Sequence, residues 1–305
     1  MNDVSIIIVN YKTPQLCIEC IESILQYTEK LNYEIILIDN GSDDESYEMF
    51  KDNLPKSVIL LRSEKNLGFG RANNKAAELA NGKYLFFLNS DTLIETNVIH
   101  TMKTYLDMND NVGSVGVTLY NADRRPVKSF GSFPSMSTCM RVALSVLRKN
   151  IGIGGRRQQK FVTVCEELHV PFEVDYIMGA DLMMRTDLFR SLGGFDNNIF
   201  MYFEESDLQL RAKKIGYRQM ILPNEHIMHL EGKSIKESNF KRISYNKSMM
   251  YYMKKHHRNE LFYLFKLLMY IIYWTNGLFD KNYNTEEKKA FISLFNPLII
   301  NDYKA

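Results

Sequence analysis

The chain contains few cysteines and a single tryptophan. It has four cysteines in 305 residues, and its Lys and Arg outnumber Asp and Glu by only two. Cys17 and Cys20 form a C-x-x-C, but no second C-x-x-C follows that would complete a zinc site. We therefore expect both thiols to pack on a helix, and the small number of cysteines favours a reducing, cytoplasmic compartment.

The sequence also lacks targeting and membrane-spanning patterns. Its first residues lead straight into an apolar strand, without the features of a signal peptide. No apolar run reaches the ~20 residues that span a bilayer. The nearest, residues 261–274, is interrupted by Lys266. A net charge of +2 does not require a nucleic-acid partner, although basic residues cluster near 141–160 and 233–258.

The first 120 residues alternate short apolar runs with amphipathic segments. This alternation predicts an α/β fold, Rossmann-like, with a mostly parallel central sheet and helices on both faces. The periodicity fades between Asp123 and Val170, and after about Lys236 the pattern becomes helical, aromatic and basic. We therefore predict one domain over residues 1–235 and a helical C-terminal region over residues 236–305. The predicted strands are 5–10, 34–39, 57–62, 84–88, 112–120 and 219–222.

Polar side chains follow four of the predicted strands. The carboxyl ends of parallel strands lie on one side of a sheet, so we expect these groups to share a cleft. Asp91, which follows an apolar run, could hold a divalent cation through oxygen beside a nucleotide diphosphate. Asp39 is suited to accept hydrogen bonds from a uracil or thymine N–H or from a ribose hydroxyl, or alternatively to cap the next turn. The set comprises Asn10, Tyr11, Asp39, Arg62, Asn66, Asn89 and Asp91.

A glycine-rich segment containing Asn66, Gly68 and Phe69 precedes a predicted helix. Glycine permits close approach of a ligand to the backbone, and a helix N-terminus favours anions. A tight turn without a ligand explains the same pattern equally well.

Three carboxylates fall within four residues at the start of a later helix, namely Glu204, Glu205 and Asp207. The helix dipole explains part of this clustering. A buried carboxylate with a raised pKa could also serve as a general base, and we expect at least one of the three to do so.

Two further segments suggest functional groups. His229 lies just before Lys233 and could complete a metal or diphosphate site, whereas His226 fits a structural role. The basic segment 148–160 is interpreted as a mobile loop, serving either as a solvated linker or as a lid over acceptor or phosphate.

Together, these motifs resemble glycosyltransferase family 2, the inverting enzymes with the GT-A fold. The similarity is closest to the bacterial rhamnosyltransferase-like branch, which builds surface polysaccharides such as capsule or O-antigen. Each motif is short, but the set follows the order of the family. The matching segments are 5–11, 38–43, 66–69, 88–91, 193–196, 203–208 and 229–234.

The resemblance implies roles for individual residues. Asp91 and His229 would be the protein ligands of Mn²⁺ or Mg²⁺. Asn89 stands where the family usually has a carboxylate, so one anionic ligand is missing. Glu205 would be the catalytic base, with Asp207 and Glu204 as rivals, and Asp181 would line the acceptor side. The nucleotide-sugar site would contain Asn10, Tyr11, Asp39, Asn66, Gly68, Phe69, Asn89, Asp91 and Lys233.

The implied reaction is a single displacement with inversion. A hexosyl or deoxyhexosyl group would pass from a UDP- or dTDP-sugar to a hydroxyl of a glycan acceptor, free or lipid-linked. A sugar-nucleotide pyrophosphorylase is disfavoured because residues 10–14 are not the glycine-rich basic loop that it would need after the first strand. A non-catalytic sugar-nucleotide-binding or scaffolding protein is the remaining alternative.

The basic, aromatic segment 236–274 suits a membrane interface. Such an enzyme would act peripherally on the inner face of the cell membrane. The same pattern would also fit helices that cover the sheet or that form a homodimer contact.

Overall fold

The computed structural model describes residues 2–150, 168–230, 239–279, 285–299 and 302–304. These residues form two compact units. We call them the α/β unit, which comprises 2–133, 168–197 and 204–230, and the helical unit, which comprises 134–150, 198–203 and the described residues from 239 onward. The domain boundary expected near residue 235 falls outside the described residues.

The α/β unit is built on a ten-stranded sheet. Along the sheet the order is β3-β2-β1-β4-β11-β6-β12-β5, with β7 paired to β6 and β9 paired to β12. Strands β8 and β10 form a separate two-stranded ladder. The strands are β1 (Val4–Asn10), β2 (Tyr33–Asp39), β3 (Val58–Arg62), β4 (Tyr84–Asn89), β5 (Thr92–Leu93), β6 (Val112–Tyr120), β7 (Pro126–Val127), β8 (Phe130–Gly131), β9 (Phe172–Val174), β10 (Tyr176–Ile177), β11 (Asp181–Arg185) and β12 (Arg218–His229).

The sheet is mixed, because β11 is inserted antiparallel among the parallel strands and the short strands β5, β7 and β9 also pair antiparallel. Strands β3, β2, β1 and β4 run parallel, as the sequence predicted. Strand β11 then pairs antiparallel with both β4 and β6. Strand β12 returns parallel to β6. The parallel strands therefore end on one edge, where β1, β2 and β4 place Asn10, Asp39 and Asn89.

Helices cover both faces of the sheet, as predicted. Successive strand residues alternate between two cores: Ile6 and Ile8 pack on one face and Ile7 on the other. Helices α1, α2 and α4 contribute to the first core and α3, α6 and α7 to the second. The helices of this unit are α1 (Pro14–Tyr27), α2 (Ser46–Asn53), α3 (Phe69–Ala77), α4 (Val98–Met108), α6 (Thr186–Ser191) and α7 (Glu204–Lys214); α5 (Met136–Asn150) belongs to the helical unit.

One sequence prediction about this unit was too short, and another was correct. The short strand predicted at 219–222 is the twelve-residue β12, because a break in register after Leu222 lets pairing with β6 resume at His226. This extension carries His229 to the end of the sheet. Cys17 and Cys20 are free, buried thiols on the inward side of α1, as expected.

The helical unit contains α5, α8 (Asn239–His256), α9 (Asn259–Phe279) and α10 (Thr285–Phe295). Helix α9 packs against α5 and α10, and its buried side chains include Phe262, Phe265 and Met269. The predicted helical C-terminal region is thus confirmed. Among the helices that the structure describes, none is long and apolar enough to cross a bilayer. Most of the basic segment 148–160 lies outside the described residues.

Candidate active site

The ends of β1 and β2 form a buried polar pair. Asn10 Nδ2 donates to Asp39 Oδ1 at 3.0 Å and lies 3.3 Å from Ser42 Oγ. Both Asn10 and Asp39 are completely buried. Asp39 Oδ2 has no hydrogen-bond partner among the described residues. A buried carboxylate oxygen without a donor is costly, so this atom is suited to receive an N–H or O–H from a ligand.

The loops that follow β2 and β3 are tied together by amides. Asn40 Nδ2 donates to Asn66 Oδ1 at 3.1 Å, and Asn66 Oδ1 also accepts from Gly68 N at 2.8 Å. Gly68 has a φ of 81°, in the region that favours glycine, and it immediately precedes α3. Asn66 and Gly68 therefore shape the turn before α3, so the turn that the sequence offered as an alternative is present.

Tyr11 is partly exposed beyond the end of β1, and Lys12 Nζ lies 5.5 Å from the centre of its ring. Lys12 has a φ of 60°, and its backbone N–H donates to Ser42 Oγ at 3.0 Å. The ring of Tyr11 thus lies on the same loop as the buried Asn10 and Asp39 pair. It is placed at the rim of the cleft.

Residues far apart in sequence meet beyond β4. Asp91 Oδ1 lies 3.2 Å from His229 Nε2, and Asn89 Nδ2 lies 3.4 Å from the same nitrogen. Asp91 and His229 are each 9% exposed. His229 reaches this point because β12 pairs with β5 in a register that sets it opposite Thr92. Sequence reasoning placed these three residues together, and the structure does so too.

The Asp91 carboxylate and the His229 imidazole fit a divalent cation that a bound diphosphate would also coordinate. One carboxylate and one imidazole suit Mn²⁺ or Mg²⁺, which complete their coordination with phosphate oxygens and water. Within the described ranges no group of three or more His, Cys, Asp and Glu side chains forms a metal site. The protein would therefore contribute Asp91 and His229, and bound diphosphate would supply further oxygens.

A short segment before β11 connects this corner with the acidic helix α7. Gly179 N donates to Glu205 Oε1 at 3.1 Å, and the next residue, Ala180, accepts from Asn89 N at 3.2 Å. A Cβ at Gly179 would lie 2.7 Å from the Phe69 ring and 2.9 Å from Glu205 Oε1. Glu205, the candidate base, and Asn89, beside the candidate metal ligands, are therefore hydrogen-bonded to two consecutive residues, Gly179 and Ala180.

The carboxylates of α7 differ in accessibility. Glu204 is 2% exposed, whereas Glu205 is partly exposed. Burial raises the pKa of Glu205, although the Gly179 N–H opposes the shift. Burial, followed by repulsion from Glu205, raises the pKa of Glu204 well above its usual range. Of this pair, Glu205 is the acid that solvent reaches.

Asp207 is engaged in a buried ion pair. Its Oδ2 accepts from Arg211 Nε at 2.9 Å and Nη2 at 2.8 Å. The same guanidinium donates to the carbonyls of Leu192 and Gly194. Asp207, through Arg211, thereby braces the turn that follows α6, which is the arrangement of a structural carboxylate.

Asp181, expected on the acceptor side, is fully buried at the start of β11. Its Oδ2 accepts from Val117 N at 2.7 Å, and its Oδ1 has no hydrogen-bond partner among the described residues. Burial raises its pKa to about 7, opposed by the Val117 N–H and by His229. His226 packs edge-on against Tyr120 at 5.5 Å. Lys233 lies outside the described residues.

Sequence reasoning missed the side chains that hold these groups in position. Asn74 donates to the Phe195 carbonyl at 2.8 Å and accepts from Phe195 N at 2.9 Å. Gln209 exchanges two hydrogen bonds with the backbone of Ile177. Of the missed residues, Arg211 alone had a visible signal, because it stands four positions after Asp207 on one helix.

Known proteins that are similar to this chain in sequence are glycosyltransferases. GlyG, a glycosyltransferase of Streptococcus pneumoniae, is 34% identical over 125 residues, which are 39% of this chain and 40% of GlyG. The N-acetylglucosaminyl-diphospho-decaprenol L-rhamnosyltransferase of Mycobacterium tuberculosis is 26% identical over 64% of this chain and 66% of its own length. The chain thus aligns with less than half of the length of GlyG.

Structural similarity supports the fold. GalNAc-T7, solved with UDP, GalNAc and Mn²⁺, superposes with a TM-score of 0.62 over 97% of this chain and 55% of its own, at 16% identity. The GT-A fold expected from the sequence is therefore confirmed. The model of Glycosyl transferase family 2 matches residues 5–160, just over half of the chain. The chain belongs to glycosyltransferase family 2.

Proposed function

We propose that the protein is a metal-dependent, inverting glycosyltransferase that uses a UDP- or dTDP-sugar. The observation that carries this proposal is the meeting of Asn89, Asp91 and His229 beyond β4, with Glu205 held by the adjoining Gly179. Asn89, Asp91 and His229 suit a diphosphate and its cation, and Glu205 presents a carboxylate with a raised pKa. Metal-dependent transfer of a sugar to a hydroxyl uses both groups.

The donor would bind along the edge formed by β1, β2 and β4. The unpartnered Asp39 Oδ2 would accept a hydrogen bond from the nucleobase or ribose, and the ring of Tyr11 would contact the base. The turn at Asn66, Gly68 and Phe69 would bring backbone close to the donor. Lys233 would neutralise phosphate charge.

The chemistry of the chain itself centres on Glu205. Its carboxylate would accept the proton of the acceptor hydroxyl as that oxygen attacks the anomeric carbon from the face opposite the leaving diphosphate. Glu204 and Asp207 are weaker candidates, because one is almost fully buried and the other is paired with Arg211. A bound Mn²⁺ or Mg²⁺, held by Asp91 and His229, would supply charge neutralisation for the departing diphosphate.

The acceptor would be a hydroxyl of a surface polysaccharide precursor, with Asp181 shaping the floor of its subsite. The mycobacterial relative is named for a lipid-linked diphosphate acceptor, which supports an acceptor of that class. A hexosyl or deoxyhexosyl donor fits the names of the relatives. The reaction would be carried out by residues 1–235, with residues 236–305 as an accessory region.

A donor screen would test the proposal. Purified protein would be titrated calorimetrically with UDP-glucose, UDP-galactose, UDP-N-acetylglucosamine and dTDP-rhamnose, with Mn²⁺ or with EDTA. We expect one donor to bind and to be slowly hydrolysed only when metal is present. Glu205→Gln should bind that donor normally but reduce hydrolysis and transfer by about 10²- to 10⁴-fold, since it cannot take a proton.

The matched control is Glu173→Gln, a carboxylate exposed on β9 in the same unit. It should leave binding and turnover unchanged. Full turnover by Glu205→Gln would show that another group is the base. Failure of every donor to bind, with or without metal, would favour the non-catalytic scaffolding alternative.

A further inference from the structure

Helix α9 is apolar on all sides, although the residues that the structure describes cover only one of them. Its buried side carries Phe262, Phe265 and Met269. Its other side is exposed and also apolar, and we call this the outer face of α9. Five of its residues are between 50% and 55% exposed and two more are 41% and 37% exposed: Leu261, Tyr263, Leu264, Ile271 and Trp274, then Leu267 and Leu268. Such a helix is typical of a surface that is buried against another apolar phase.

The outer face is a continuous stripe. Leu261, Leu264, Leu268 and Ile271 follow each other at intervals of three and four residues, so they lie on one side of the helix. Lys266, the one charged residue between 261 and 279, points the other way and is buried. The exposed stripe therefore contains no charge over about three turns.

The charge of the helical unit indicates what covers this face. Its described residues contain 13 Lys and Arg against 4 Asp and Glu, a net charge of +9. Basic residues stand directly before the stripe, where α8 ends in Lys254, Lys255 and His256 and Arg258 follows at 82% side-chain exposure. An apolar face flanked by cations matches an anionic lipid surface, in which acyl chains lie beneath negative headgroups.

A second copy of the chain is a poorer match for the same face. Two-fold pairing would bring the same basic patch of each copy together, and like charges oppose such contact. Helix α9 also does not cross a bilayer, so it would lie in the interface plane.

We propose that the outer face of α9 docks the protein onto an anionic membrane surface. The apolar stripe would enter the boundary between headgroups and acyl chains, and the exposed Lys255 and Arg258 would contact the headgroups. Docking is independent of the proposed transfer reaction, because it requires neither donor nor metal.

Trp274 makes this docking directly measurable, since it is the only tryptophan in the chain and lies on the outer face. The full-length protein would be mixed with vesicles of phosphatidylcholine, with and without about one third phosphatidylglycerol. We expect co-sedimentation and a blue shift of tryptophan emission with the anionic vesicles alone. Both signals should weaken as salt is raised, because screening reduces the headgroup attraction.

The decisive comparison uses two double variants. Leu264→Ser with Ile271→Ser should weaken vesicle affinity by about tenfold or more, because two apolar side chains no longer enter the interface. Met108→Ser with Ile215→Ser is the matched control, since both residues are exposed on the α/β unit, at 79% and 58%. The control should bind as the unchanged protein does. Circular dichroism would confirm that both variants retain their helices.

Three results would overturn the proposal. The first is absence of binding to anionic vesicles. The second is equal loss of affinity in both double variants. The third is a dimer in sedimentation velocity that only the Leu264→Ser, Ile271→Ser variant dissolves, which would show that the face is covered by a second copy.

Discussion

The two units of this chain treat charge and apolar surface in opposite ways. In its described residues the α/β unit carries 19 Lys and Arg against 27 Asp and Glu, a net charge of −8, whereas the helical unit carries +9. The α/β unit buries carboxylates completely or almost so, including Asp39, Asp181, Glu204 and Asp207. The helical unit instead leaves a row of large apolar side chains exposed on α9.

This difference suits the α/β unit to binding a ligand and the helical unit to docking on a surface. A sheet covered on both faces has completed its apolar burial, so its strand ends can hold costly polar groups that await a ligand. Asp39 Oδ2 and Asp181 Oδ1 are such atoms in the described residues. A helix that is apolar outside as well as inside has not completed its burial. The first pattern fits a small polar ligand and the second fits a large apolar surface.

The largest effect on stability is expected at the buried ion pair of the α/β unit, Asp207 with Arg211. Asp207→Asn would leave Arg211 without its counter-charge, and breaking a buried pair costs about 3–5 kcal/mol of unfolding free energy. Differential scanning calorimetry should therefore show a clearly lower Tm. Asp110→Asn, at a fully exposed position of the same unit, should change stability by less than about 0.5 kcal/mol.

An Asp207→Asn protein as stable as the Asp110→Asn control would show that the pair contributes no net stability. It would also restore Asp207 as a candidate base, because the brace on the Gly194 turn would then be dispensable.

A smaller effect on stability, which depends on pH, is expected at Asp181. Its folded pKa of about 7 lies above the ordinary value of 3.8, so the folded state keeps a proton that the unfolded state loses. The stability that this residue contributes is therefore fully present below about pH 4 and is lost as pH rises to about 7. Asparagine does not titrate. Between about pH 4 and about pH 7, the free energy of unfolding of Asp181→Asn should therefore fall by about 2–4 kcal/mol less than that of the unchanged protein.

Tm measured in EDTA from about pH 5 to about pH 8 would check this slope. Glu204 also holds a raised pKa and remains in both proteins, so only the difference between them reports on Asp181. Parallel curves for the unchanged protein and the variant would mean that Asp181 is ionised in the folded state.

The sequence predicted the groups that follow strand ends better than those that depend on packing. Asp39 and Asp91 could be found because each follows the end of an apolar run, and His229 because it stands just before Lys233. The antiparallel insertion of β11 could not be found, since the short apolar run 182–184 does not indicate in which direction the strand pairs. The sequence also left Glu204 and Asp207 as rivals of Glu205, because burial and the Arg211 contact arise only when α7 packs.

The outer face of α9 was beyond the sequence for a similar reason. A helix with apolar residues all round predicts burial of every side, and the pattern 261–274 does not state which side its own unit covers. Only the packing of α5 and α10 against α9 distinguishes the inner Phe265 from the outer Leu264.

The smallest effect is expected at the buried cation of the helical unit. Lys266 Nζ donates to the Ile299 carbonyl at 2.6 Å, and burial, with repulsion from Lys254, lowers its pKa. Lys266→Met keeps the volume and removes a charge that is costly to bury, so unfolding free energy should change by about 1 kcal/mol or less.

Because Lys266 lies on the inner side of α9, vesicle binding should not change although a cation is lost. Chemical denaturation and vesicle co-sedimentation would check both statements, with Lys304→Met, an exposed position, as the matched control. If Lys266→Met weakens binding while Lys304→Met does not, the inner and outer sides of α9 are not independent, and the contrast between a covered and an uncovered face would have to be abandoned.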